Sequence, residues 1–112
     1  MANDPAKHDD GKPDLTLAME AFPRAIVELS KVMEFGLAKG YGRGSWRSLP
    51  DGERRYKAAM FRHALAIEEH DDESCLLHAA HVAWNAMAVL ELILTEDENM
   101  AKYYQMIMAQ NG

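Results

Sequence analysis

The segment 71–94, DDESCLLHAAHVAWNAMAVLELIL, is the most apolar stretch of the chain and contains neither glycine nor proline. It reads as a long apolar helix with Asp71 or Asp72 as its N-cap, since a short carboxylate there accepts from the first free backbone N–H groups. His78, His81 and Asn85 follow one another at steps of three and four, which places them on one face. The helix therefore carries a polar seam, and buried polar groups require partners.

The flanking pattern is helical as well. Pro23 suits a first helical turn, and Ile26, Leu29, Val32, Met33 and Gly36 recur at helical spacing, predicting a helix over Pro23–Ala38. GYGRGSWRSLPDG, with its glycines, prolines and serines, is a loop in which Tyr41, Arg43, Trp46 and Arg47 gather. A second helix is expected over 50–69, with Tyr56, Met60, His63 and Ile67 on one stripe. Thr95 and Glu98 have the spacing of a capping box, predicting a break and a further helix to about residue 109. No alternating strand pattern and no internal repeat is present. The expected fold is all-α, a compact bundle of about four helices, with residues 1–14 a flexible polar segment and 15–112 a single helical domain.

At 112 residues and 48% hydrophobic content the chain suffices for one core and not for two. Its eight methionines suit adaptable packing, and a helical protein this small often completes its core by self-association, so a homo-oligomer is expected. The lone Cys75 excludes an internal disulfide framework and a thiolate zinc site. The opening MANDPAKHDDGKPD has no apolar centre, and no run approaches the roughly 20 residues of a membrane span. A cytoplasmic protein without a membrane partner is expected.

The net charge of −6 argues against binding a nucleic-acid duplex, whose affinity comes from neutralising many phosphates. Seven of the twelve basic residues nevertheless fall within 39–62, against Asp51 and Glu53 alone. A local cationic segment in an acidic chain suits a small polyanion such as a nucleotide. Solvated cations on a helix face are the plain alternative.

The seam likewise has two readings, a hydrogen-bond network between helices or a site for a metal or phosphate. Arg62 and His63 on the second helix should face the level of His78 and His81, while Glu69, Asp71, Asp72 and Glu73 cluster at the junction. Carboxylates with imidazoles can hold Mg²⁺, Mn²⁺ or a transition metal; the same carboxylates also suit a helix start. There is no phosphate-binding GK[ST] loop, no HExxH and no CxxC.

GKPDL, an apolar helix into GLAKGYGRGSW, then RHALA and DDESCLLHAAHVAWNA together resemble the small phage domain known as the dATP/dGTP diphosphohydrolase N-terminal family, over residues 7–94. That family is likened to the MazG-like all-α pyrophosphohydrolases. The resemblance implies a metal-dependent nucleoside triphosphate diphosphohydrolase acting on purine (deoxy)nucleotides, with Mg²⁺ or Mn²⁺ held by carboxylates. It implies Glu69, His63 and His78 as catalytic residues and Glu69, Asp72 and Glu73 as metal ligands. Lys12, Lys39, Arg43, Trp46, Arg62, His81 and Asn85 would bind the nucleotide. Cys75 stands where the family pattern has glycine, the acidic run IEEHDDES is shorter than usual, and the paired ExxE and ExxD of the MazG-like proteins are not found. The alternative is a non-catalytic binder that sequesters a nucleotide or a cyclic nucleotide signal, an anti-defence sponge. A purely structural helical module would use neither the cations nor the histidines.

Overall fold

The computed structural model describes residues 11–111, so the expected flexible segment 1–14 lies mostly outside the described residues. The described residues form four α-helices, α1 (Thr16–Ala21), α2 (Pro23–Ala38), α3 (Gly52–Ala64) and α4 (His78–Asn111), with a 3₁₀ turn at Ser45–Ser48 before α3. The fold is all-α as expected; among the described residues only an isolated antiparallel bridge, His70 to Leu77, is β-like. No helix is long and apolar enough to cross a membrane among the described residues.

The helix α1 arises where Asp14 accepts from both the N–H and the hydroxyl of Thr16, at 3.0 and 2.6 Å. Pro23 opens α2 as its spacing predicts. The helix closes on Gly40, whose φ of +97° lets Gly40 and Tyr41 N–H groups turn back to the carbonyls of Leu37 and Gly36. The polypeptide then folds under itself, and the Tyr56 hydroxyl pins the 3₁₀ turn to α3 by donating to the Trp46 carbonyl at 2.7 Å.

Three predicted boundaries are corrected. The second helix stops at Ala64 rather than 69, because the next residues bring Glu68, Glu69 and Asp71, charges that a helix C-terminus disfavours, whereas Arg62 and His63 in its last turn suit it. Asp71 does cap, but it caps one isolated turn: its Oδ2 accepts from Ser74 N–H at 2.8 Å and its carbonyl from Cys75 N–H at 2.8 Å. Cys75 then takes φ +64°, which ends the turn, and the long helix starts only at His78. Thr95 caps nothing; α4 runs straight through it for 34 residues, about 51 Å at 1.5 Å per residue. Capping needs a preceding break, and LELIL before Thr95 and the Glu98–Lys102 pair at 3.1 Å after it both favour continuation.

The packing centres on α4, against α3 chiefly and α2 secondarily. Among the described residues the buried apolar side chains are few, Val32, Ala80, Ala88 and Val89, joined by the polar His81 and Asn85. The radius of gyration, 18.7 Å, exceeds the roughly 13 Å of a compact domain of this length. Large side chains such as Phe22, Leu65 and Ile67 are correspondingly exposed.

Candidate active site

The polar seam of α4 meets the last turn of α3 and the connecting loop. His63 Nδ1 and His78 Nδ1 lie 2.8 Å apart, so one ring carries the proton and the other accepts it. The His81 ring stacks on His63 at 4.4 Å with planes 9° apart, and Phe35 of α2 meets it edge-on at 6.3 Å. Ser74 Oγ sits 2.7 Å from His81 Nε2, and Asp71 Oδ2 lies 3.8 Å from the same nitrogen. Asn85 donates its side-chain N–H to the His81 carbonyl, one turn back, at 2.8 Å. No buried side-chain nitrogen or oxygen among the described residues lacks a partner.

Burial sets the electrostatics. It lowers the pKa of His63, helped by the neighbouring His81, and lowers that of His81 against the pull of Asp71. Burial also pushes the Asp71 carboxyl up, but the N–H and hydroxyl of Ser74 and the imidazoles of His81 and His63 outweigh it, leaving the group below the usual carboxylate range. Neutral imidazoles beside an ionised carboxylate are the protonation states in which such groups bind a cation or accept a proton.

Beyond this cluster opens a cavity of about 710 Å³ between α2, the 39–49 loop, α3 and α4. His63, Asp71, His81 and Asn85 line its polar end. Trp46, Tyr56 and Trp84 form its aromatic wall, with ring centroids 5.3 to 6.2 Å apart in edge-to-face contacts. Lys39, Arg43 and Arg55 supply positive charge at its rim. The Lys39 ammonium bonds Glu73 at 2.8 Å, which is the main cause of its raised pKa.

The sequence model of the family described as "dATP/dGTP diphosphohydrolase, N-terminal" matches residues 2–102. The chain belongs to that family. A curated relative, the dATP/dGTP diphosphohydrolase of Salmonella phage PMBT28, is 39% identical over 90 residues, which is 78% of this chain and 29% of the relative. The chain thus spans less than a third of that relative's length. No solved structure matches the chain.

Of the residues the family pattern singles out, Lys39, Arg43, Trp46, His63, Glu73, His81 and Asn85 all line the cavity. His78 joins the cluster through His63. Arg62 and Lys12 are exposed and outside the lining. Glu69 and Asp72 are exposed too, and Glu73 is paired with Lys39. Among the described residues the one set of three donors close enough to share an ion is His63, Asp71 and His78, a set that does not include Glu69, Asp72 or Glu73.

Sequence reasoning placed Asp71 in the junction cluster without singling it out as a ligand, and it missed Ser74, Arg55, Tyr56 and Trp84 as site residues. The Asp71 and Ser74 spacing was a signal for a side-chain-closed turn, D-x-x-S, but it competed with a helix-cap reading of the same aspartate. Trp84 falls three residues after His81, on the flank of the seam, among apolar neighbours that give no sign of a ligand contact. The left-handed Cys75 explains the family's glycine: that position needs a φ that glycine adopts freely.

Proposed function

We propose that the cavity binds a purine deoxynucleoside triphosphate, and that with a divalent cation the protein hydrolyses it to the monophosphate and pyrophosphate. One observation carries the reading: a single cavity joins a cationic rim, an aromatic wall and an imidazole and carboxylate cluster. These are the three chemistries that phosphates, a base and an attacking water demand. Family membership and the activity for which the phage relative is named point the same way.

In this reading Lys39, Arg43 and Arg55 neutralise the phosphates, Lys39 exchanging its exposed contact with Glu73 for a phosphate oxygen. A base stacks against Trp46 or Trp84. A neutral His81, held by Ser74, accepts a proton from the attacking water. A bound divalent cation would supply charge neutralisation and a water of lowered pKa. The many exposed apolar side chains support a homo-oligomer as the working form.

Incubation with dATP or dGTP and Mg²⁺ or Mn²⁺, followed by a pyrophosphate assay, tests it: turnover is expected, and none with any nucleotide would sink the catalytic reading. Glu69 and Asp72, exposed and outside the cavity lining, favour a second reading, a binder that holds a nucleotide without cleaving it. Calorimetric binding that persists in EDTA, with the ligand recovered intact, would favour that reading.

A further inference from the structure

The geometry points to a transition-metal site at the junction of α3 and α4, with His63, Asp71 and His78 as its protein ligands. It goes beyond nucleotide binding and does not depend on it. The donors come from the last turn of α3, the capped turn of the loop and the first residue of α4. The two Nδ1 atoms are 2.8 Å apart, and a carboxylate oxygen of Asp71 completes a set whose members all lie within 4.8 Å of one another. Atoms bonded to one ion at roughly 2.0 to 2.2 Å sit about 3 Å from each other, so small side-chain adjustments close the set.

The surroundings hold these donors in place. Ser74 N–H fixes the Asp71 carboxylate through Oδ2, and the stacked His81 ring fixes the plane of His63. Such supporting contacts orient metal ligands in known centres. Without an ion, the facing nitrogens of His63 and His78 share one proton; with an ion, each lone pair makes its own bond.

The donor set decides the class of ion. Two imidazole nitrogens and one carboxylate suit Mn²⁺, Fe²⁺, Co²⁺, Ni²⁺ or Zn²⁺, whereas Mg²⁺ and Ca²⁺ prefer oxygen throughout. Three protein ligands leave further positions for water or a phosphate oxygen, and His63 and Asp71 also line the cavity.

Metal-stripped protein titrated calorimetrically with CoCl₂, MnCl₂ and MgCl₂, without nucleotide, tests the site. One Co²⁺ or Mn²⁺ per chain is expected, with Mg²⁺ weaker by about 100-fold or more. His63→Ala and His78→Ala should each abolish tight binding while helical circular dichroism is retained. Pulsed electron paramagnetic resonance of the Mn²⁺-loaded natural chain should show coupling to histidine nitrogen, a readout that stands even if a variant fails to fold. Absence of that coupling, Mg²⁺ binding as tight as Co²⁺, or Co²⁺ binding unchanged in both variants overturns the proposal. Tight Co²⁺ binding without turnover of any nucleotide supports this site and counts against the catalytic reading, so the two fail separately.

Discussion

The two halves of α4 share one backbone and differ in everything else. From His78 to Leu92 the helix holds His81, Asn85, Ala88 and Val89 out of solvent against α2 and α3. Beyond Thr95, among side chains described, only Ile107 is not exposed. The first half is thus held by tertiary contacts, the second by local helix propensity and pairs such as Glu98 with Lys102. A helix can be continuous in geometry and discontinuous in what stabilises it.

The sharpest way to break this comparison is a matched pair of charges. Ala88→Asp buries a carboxylate at a position 3% exposed and should cost at least about 3 kcal/mol, whereas Ala101→Asp should change stability by less than about 0.5 kcal/mol. Urea midpoints would measure both, and equal losses would mean the far half is packed as tightly as the near one.

A smaller effect should come from acid, and only from the near half. His63 and His81 have folded pKa values below their usual 6.5, so the unfolded chain protonates first as the pH drops. Their contribution is complete above the unfolded value and is lost as the pH falls from there through the folded values. Chelator-treated protein should lose thermal stability below about pH 6.5, and His81→Gln should flatten that slope. Asp71, also lowered, acts in a more acidic window, below its usual 3.8. A slope unchanged by the substitution would remove the seam from the acid response.

The smallest effect belongs to the turn that delivers the near half. Cys75→Gly relieves a side chain from the left-handed region and should raise stability by up to about 1 kcal/mol, glycine's greater unfolded freedom offsetting part of the gain. A loss in thermal melting would show that the Cys75 side chain contributes a contact of its own.

Much of this architecture was legible in the residues, and the exceptions share a cause. Pro23 and the glycine run give the limits of α2 because proline and glycine act locally, through φ and a missing N–H. The seam of His78, His81 and Asn85 was legible because three-residue and four-residue steps need only helix geometry. What failed were capping signals. Asp71 and Thr95 both have cap chemistry, and only the tertiary setting decides that one closes a lone turn and the other rides inside a helix. The cavity's aromatic wall was illegible for a related reason: Trp46, Tyr56 and Trp84 lie on three separate segments, and no spacing along the chain brings them together.

That wall has a practical side. The chain contains two tryptophans, and both line the cavity with ring centroids 6.0 Å apart. Indole emission from this protein therefore originates wholly at the candidate site. The molecule carries a built-in optical probe of its own occupancy, with no label to attach and no background from elsewhere in the chain.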